Sequence, residues 1–597
     1  MCGISAIYRH SLVSVNDVEK LGRMNAQMKY RGPDDEGVWH DERCGMAQVR
    51  LSIIGLQKGK QPLFNEDKSL VLICNGEIYN YVELKQDLIA KGHIFDSESD
   101  SETILHLYEE YEDNCVDYLR GMFAFCLYDT KRKRMIAARD RIGEKTLYYA
   151  QIPCGVVVST ELKAILKEYI PQPQVNIQHL LEPIRFTGPI DMEHTFIEQI
   201  NRVLPGQMIM VDEDGLRSRI YWKRCHIGDF SGTIKDAKAE TLRLMQESVD
   251  LCLRSDVPVA VMLSGGVDSS AIAALAKQTG REVHTITAGY AGDFACDERD
   301  VAKRFAKEQG FVYHEVVLDR EDYNSCFDEL TQYIDEPITD AAAIAQWALY
   351  KKVKSLGFKV LLGGMGGDEL FYGYPAWNAL GDSLAIRREH ESLFPWNTKQ
   401  KKLKYLRFLT KHWKHVLWAG YPAKLADSSV AWWLEPDFRK AVTNASLKLG
   451  GDTTDLDPYC VQADFPICPL GQELDVVYDH AFDHVMVGAY LYLSDRLGMG
   501  NSLEIRSPLI DYKLVEHAMS LPHSIRYIPG RPKQYMKDVL AGIVPDYILY
   551  ASKRGFTPPN EYVLDVARNH KYHHIQTPCG FYNTALADQV LRNLWDK

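Results

Sequence analysis

The feature that most constrains this chain is a change of rhythm near residue 235. Before it, the sequence runs through short strand-like alternations such as VLICNGEIYNY (71–81), GMFAFCLYD (121–129) and RMIAARD (134–140). After it, apolar runs alternate with helical ones. KDAKAETLRLMQESVDLCLR (235–254) is helical, VPVAVML is an apolar strand, SSAIAALAKQTG a helix, EVHTITAGY a strand and RDVAKRFAKEQG a helix. AAAIAQWALYKKVKSLG and KVLLGG then repeat the helix–strand pair. Period-2 alternation with few long helices predicts a β-rich unit, and strand–helix alternation predicts a doubly wound parallel sheet. With 597 residues the chain exceeds what one core supports. Two large domains are expected, 1–220 and 221–597. RVLPGQMIMVDEDG (202–215) reads as a turn, strand and turn closing the first, and KRKR (131–134) as a solvated hairpin turn.

Composition excludes several classes. The net charge of -12 argues against nucleic acid as a partner. No run of about 18 apolar residues is present, so no membrane span is expected. The start lacks the basic and apolar segments of a secretory signal. Thirteen scattered cysteines, with no CxxC pair, point to reduced thiols and a cytoplasmic location rather than to a disulfide or zinc framework.

Cys2 follows Met1 directly. A single cysteine is usually just a small buried residue. Removal of Met1 would give this one a free α-amine titrating near pH ~8, able to take the thiol proton, so that one residue supplies nucleophile and base. RGPDDEG (31–37), VRLSII (49–54), NGEIYNY (75–81) and ESDSETIL (98–105) supply the polar groups that glutamine hydrolysis needs. Arg50 can hold a substrate carboxylate by a fork of donors. Glu77 and Asp100 can hold an ammonium, and Asn75 with the Gly76 N–H can form an oxyanion hole.

MCGI, RGPDD, RLSI, NGEIYNY, SDSET, GMFAFCLYD, RDRIGEKTLYY and STELKAIL resemble, in the family's own order, the glutaminase domain of class II glutamine amidotransferases. The resemblance implies a four-layer α/β/β/α sandwich. It implies Cys2 as nucleophile, Asn75 and Gly76 as oxyanion hole, and Arg50, Glu77 and Asp100 as glutamine binders.

SGGVDSS (264–270) follows the apolar strand and opens a helix. It can be a plain Gly-Ser turn, yet backbone N–H groups and a helix dipole placed this way cradle phosphate. It is not GxxxxGK[ST], so a γ-phosphate-transferring loop is disfavoured. SGGxDSS resembles the pyrophosphate loop of ATP pyrophosphatases. ATP contacts are thereby expected from Leu263, Ser264, Gly265, Gly266, Asp268, Ser269 and Ser270, together with Ala288, Gly363 and Gly364. Asp268 would bind magnesium. GGMGGDELFYGY (363–374) follows KVLL, and its Asp368 is a second magnesium candidate at the carboxyl end of a parallel strand.

DRLGMGNSLEIRSPLIDYKLVE (495–516) and ASKRGFTPP (551–559) resemble the acceptor side of asparagine synthetases. By that match Lys553 meets pyrophosphate or transition-state charge, Glu504 (with a catalytic role) and Arg506 lie near the acceptor, and Asp511 is structural support. The whole chain thus resembles the glutamine-hydrolysing asparagine synthetase family. The implied activity is a carbon–nitrogen ligase using ATP and Mg2+. Glutamine is hydrolysed at Cys2 and ammonia crosses an internal passage to an acyl-adenylate. A homodimer follows only by family analogy.

One departure stands out. Where the family carries glutamate in GEGxDE, this chain has Met365, whose thioether neither takes a proton nor pairs with an ammonium. With Met365 as an acceptor-site residue, a sugar uronate, a peptidoglycan or peptide side chain, or a natural-product acid is expected in place of free aspartate. A true asparagine synthetase with a tolerated variant is the alternative. Two weaker signals remain. KKLKYLRFLTKHWKHVLW (401–418) reads as a packed helix with a solvated basic face. His570, His573, His574 and Cys579 match no standard metal-ligand spacing.

Overall fold

A computed structural model of the chain describes residues 2–186, 188–225, 228–294, 296–338, 340, 342–374, 378, 473–528, 530–552, 558–570 and 587–595. The stretch 401–418, Lys553, His573, His574 and Cys579 lie outside the described residues.

In the N-terminal half two six-stranded antiparallel sheets lie face to face. One runs Asn201–Arg202, Tyr148–Ile152, Gly155–Ser159, Cys2–Arg9, Cys44–Arg50, Asp35–His40. The other runs Gly215–Ile220, Gln207–Asp212, Arg134–Arg139, Gly121–Asp129, Leu70–Ile78, Leu63–Phe64. The period of two decides which side chains go where. From the first strand Ile4, Ala6 and Tyr8 meet Val71, Ile73, Ala124 and Cys126 between the sheets. Ile7 turns the other way, toward Leu21, Met24 and Ile165 of the covering helices. On the facing sheet Phe123, Phe125 and Leu127 turn outward to Ile104, Leu105 and Tyr108. Both faces of each sheet are therefore covered, which gives the four-layer α/β/β/α order the motifs imply.

More helix is present here than the alternation suggests: Val15–Met28, Tyr81–Ala90, Glu102–Tyr111, Leu162–Tyr169 and Ile177–Phe186. Most are only two or three turns long and bury one stripe, so they leave a weak periodic signal. The first starts at a capping box in which Ser14 and Asp17 satisfy each other's backbone N–H groups.

The C-terminal half holds a five-stranded parallel sheet in the order Val312–Leu318, His284–Tyr290, Val259–Met262, Val360–Leu362, Glu504–Arg506. Helices Val267–Gln278, Arg299–Gln309 and Ala343–Ser355 connect its strands. The edge strand Glu504–Arg506 turns toward the N-terminal half.

The seam between the halves is apolar. Leu51, Ile53, Tyr79 and Met122 from one side join Val261, Leu263, Leu362 and Ile510 from the other in a single apolar cluster. Beside it runs a buried ionic network. Arg31 and Arg496 share Glu161, Arg31 also holds Asp495, and Arg496 also holds Asp335. All five side chains are buried, an arrangement that is tolerable only because every charge has a partner.

Candidate functional site

Cys2 opens the first strand, paired with Arg50 in the ladder and buried. Its backbone N–H donates to Asn75 Oδ1 at 2.9 Å. Its carbonyl accepts from Arg31 Nε at 3.1 Å. Asn75, Gly76 and Glu77 follow one another on Leu70–Ile78, the strand across the sandwich. Asn75 is fully buried, yet its Nδ2 has no hydrogen-bond partner among the described residues. A buried amide donor without an acceptor is costly, and one facing the thiol strand is what a developing oxyanion would use. Gly76 lies so close to the neighbouring strand that a Cβ there would collide with the Met122 carbonyl.

Glu77 is buried, and its carboxyl is raised well above the ordinary range, first by burial and then by Glu504 and Asp100, with Arg506 opposing. Asp100 is raised for the same first reason, against hydrogen bonds from backbone N–H groups; one of these, from Ile78, measures 2.6 Å. Arg50 donates through Nη2 to the carbonyls of Ile54 and Gly55, each at 2.9 Å. Cys2, Asn75, Gly76, Glu77 and Arg50 thus come together on three strands of the two facing sheets, with Asp100 bound to the end of one of them.

The second cluster lies at the carboxyl end of the parallel sheet, where open α/β sheets bind ligands. Gly265 has φ +79, a left-handed conformation that favours glycine. Gly266 caps helix Val267–Gln278, leaving first-turn N–H groups directed outward. Ser269 Oγ braces the loop, accepting from the Ser264 N–H at 3.1 Å and lying 3.0 Å from its hydroxyl. Leu263 is buried beneath the loop, and Ala288 sits near the same end of the adjacent strand.

The 363–374 loop closes on this one. A Cβ on Gly367 would collide with the Asp268 carboxylate, and one on Gly373 with Asp368. Asp268 and Asp368 converge on one lysine: Lys533 Nζ bonds Asp268 and lies 2.7 Å from Asp368 Oδ1. Burial works against that charge, but the two aspartates outweigh it and push the Lys533 pKa up to about 12. Two carboxylates gathered within reach of one cation, in a cradle that admits no Cβ, are hard oxygen donors that fit a magnesium ion. Glu369 accepts from Tyr374 Oη at 2.6 Å and from the Gly366 N–H at 3.2 Å. Burial, then Asp368, raises its carboxyl to about 7.

Glu504 and Arg506, expected on the acceptor side, point to the seam. Arg506 donates through Nε to Glu504 at 2.5 Å, through Nη1 to the carbonyls of Cys252 and Arg254, and lies 3.5 Å from Glu77. The Arg506 carbonyl in turn accepts from the Gly363 N–H at 2.8 Å. Charge pairs and backbone bonds therefore run from Glu77, beside Asn75, through Arg506 to the second loop. Asp511 holds Arg120 in a two-point ion pair. Met365 packs against two apolar clusters, each drawn from both halves.

Sequence reasoning missed Lys533. It stands alone in GRPKQYM, and only its left-handed backbone, φ +56, and the fold bring it to two aspartates far away in the chain. Arg31 stands inside RGPDDEG and Asp495 opens DRLGMG, but nothing in the sequence pairs them.

A family model described as glutamine amidotransferase domain matches residues 1–222, and one described as asparagine synthase matches 240–596. The chain is 31% identical to asparagine synthetase (glutamine-hydrolyzing) 1 of Bacillus subtilis (strain 168), covering 94% of this chain and 87% of that protein. It is 28% identical to amidase chyE of Penicillium rubens and to amidase chry2 of Gibberella zeae, each over 94% of this chain and 89% of the relative. Fold, sites and matches define the class as a carbon–nitrogen ligase with a glutamine amidotransferase half. Within that class, the chain belongs to the asparagine synthase family.

Proposed function

We propose that this enzyme makes an amide from an ATP-activated carboxylate and glutamine-derived ammonia, and that its acceptor is not free aspartate. The Cys2 thiol, its proton taken by the α-amine freed on loss of Met1, attacks the glutamine amide carbon. Ammonia leaves, and water later releases glutamate from the thioester. Asn75 Nδ2 and the Gly76 N–H stabilise the oxyanion, while Arg50, Glu77 and Asp100 hold the glutamine. The observation that carries this reading is the buried donor of Asn75, without a partner among the described residues, beside a strand-end cysteine that the same side chain anchors.

At the second site an acceptor oxygen attacks the α-phosphorus of ATP, and pyrophosphate leaves into the 264–270 loop. Ammonia then attacks the acyl carbon and AMP departs. Magnesium held by Asp268 and Asp368 would supply neutralisation of phosphate charge. Lys533 joins them from the described residues, and Lys553 is assigned by motif. The apolar seam around Leu51, Ile53, Met122 and Leu263 favours neutral ammonia over ammonium. Arg506 and Glu504 stand between the sites and hold the two halves in register. We take the division between the halves at about residue 220.

Support for a less polar or larger acceptor comes from Met365, which packs among apolar groups where the family carries a carboxylate. The amidase names of two relatives point the same way. The similarity to a B. subtilis asparagine synthetase favours aspartate as the second reading. One experiment separates them: pyrophosphate release with ammonia across a panel of carboxylates that includes aspartate, with glutamate release from glutamine measured alongside. The expected result is glutamate release abolished in Cys2→Ala with ammonia-driven amide formation kept, and aspartate outperformed by bulkier acids. Aspartate as the best acceptor would establish the second reading. Wild-type enzyme that releases no glutamate would refute the first site.

A further inference from the structure

We propose that Glu66, His93, His106 and Glu109 form a structural binding site for a zinc-class divalent cation on the outer helical layer of the N-terminal half, apart from both reaction sites. The four come from three places: Glu66 from the turn before Leu70–Ile78, His93 from the connection after Tyr81–Ala90, and His106 and Glu109 from one face of Glu102–Tyr111. One donor atom of each lies within 4.8 Å of all the others. His93 Nδ1 is 3.6 Å from Glu66 and 3.5 Å from Glu109. His106 Nδ1 is 3.7 Å from Glu66 and 2.9 Å from Glu109. Bonds of about 2.0–2.2 Å in a tetrahedron set neighbouring donors roughly 3.3–3.6 Å apart. The histidine–carboxylate separations, 2.9–3.7 Å with the two to Glu66 running to its two different oxygens, bracket that spacing, and two imidazoles with two carboxylates are a donor set suited to zinc rather than to magnesium.

The surroundings resemble those of a built metal site. Both histidines turn Nδ1 inward and Nε2 toward a further carboxylate. His93 Nε2 lies 3.2 Å from Glu110, and His106 Nε2 lies 3.7 Å from Glu102. Such outer carboxylates fix the tautomer and strengthen the ligand. The carboxylates are oriented as well: Asn65 Nδ2 donates to the outer oxygen of Glu109 at 2.9 Å, and the Ile94 N–H donates at 2.9 Å to the Glu66 oxygen that faces His93. Four carboxylates thus surround two imidazoles, of which His106 is completely buried, and a dication would balance them. Glu102 also accepts from the N–H groups of Asp96 and Ser97, each at 2.7 Å, so the site backs the segment that leads to Asp100.

The test uses the full chain, stripped with chelator and then titrated with ZnCl2 alone. Bound metal is counted after desalting and the thermal midpoint recorded. Wild type is expected to retain about one zinc more than His93→Asn or Glu66→Gln, and zinc is expected to raise the midpoint of wild type only. Glu110→Gln should weaken binding about tenfold or more. The difference between wild type and variant removes zinc held by thiols from the count, and Glu66→Gln carries the comparison if His93→Asn does not fold. Equal zinc in wild type and variants, or an unmoved wild-type midpoint, would overturn the proposal and leave a cluster of protonated histidines paired with carboxylates. A response to MgCl2 but not to ZnCl2 would overturn it too.

Discussion

Arg31 Nη2 lies 2.8 Å from the Asp495 carboxylate across the seam, and both side chains are shut off from solvent. The same guanidinium donates to the Cys2 carbonyl. The position of the thiol strand is thus tied to a charge in the other half. Removing one partner of a buried pair leaves the other charge uncompensated, which costs about 3–5 kcal/mol. Asp495→Asn should therefore lower the thermal midpoint clearly and reduce glutamate release along with ammonia-dependent turnover. Unchanged stability would mean that Glu161 alone satisfies Arg31.

Asn75 carries a different kind of prediction. Its Oδ1 anchors Cys2 while its Nδ2 is unpaired among the described residues. Losing one oxyanion donor typically costs about 10²–10³ in rate. Asn75→Ala should lower glutamate release by that order and leave ammonia-driven pyrophosphate release unaffected. A small effect on hydrolysis would show that the donor serves folding instead.

Acid should expose the capping box of Val15–Met28, the helix that covers the Cys2 strand. Burial alone would raise the Asp17 carboxyl, but hydrogen bonds from Arg9 and Ser14 outweigh it and hold it below the ordinary value. The native state then binds this proton less readily than the unfolded state does. The stabilisation is present above about pH 4 and fades as pH falls through the lower native value. Asp17→Asn should depress the midpoint at pH 7, and its gap to wild type should narrow as the pH falls below about 4 and through the lower native value. A gap of constant size over that range would contradict this.

Much of the architecture was legible because local pattern and burial agree. Phe123, Phe125 and Leu127 against Ala124 and Cys126 announce a strand covered on both faces, and the runs before SGGVDSS and GGMGGDE announce parallel strands. Cys2 and Asn75 each sit in a compact motif, and the fold joins them by a 2.9 Å hydrogen bond. What stayed hidden depends on distant partners. Glu504–Arg506 is three residues long with two charges, and it becomes a strand only because Val360–Leu362 pairs with it and Glu77 meets its arginine. The acceptor-side reading of Arg506 rests on its motif, and only the fold reveals its pairing with Glu504 and Glu77. His93 and His106, thirteen residues apart, match no ligand spacing, and tertiary folding alone brings their rings to 4.9 Å.

Lys533 offers the sharpest test of the second site, because nothing in its neighbourhood of sequence marks it. Its ammonium is buried between Asp268 and Asp368, so removing it leaves two acids facing each other with that cation gone. With the competing charge gone, the two carboxylates attract a dication more strongly, so the magnesium concentration needed for half-maximal turnover should fall. A buried charge aimed at departing phosphate is worth about 10²–10³ in rate. Lys533→Met should therefore lower pyrophosphate release by that order, while glutamate release at Cys2, on the far side of the seam, stays within about threefold. A parallel loss of both activities would mean that Lys533 acts through the seam. Unchanged pyrophosphate release would place the phosphate-binding charge elsewhere, with Lys553 the first residue to examine.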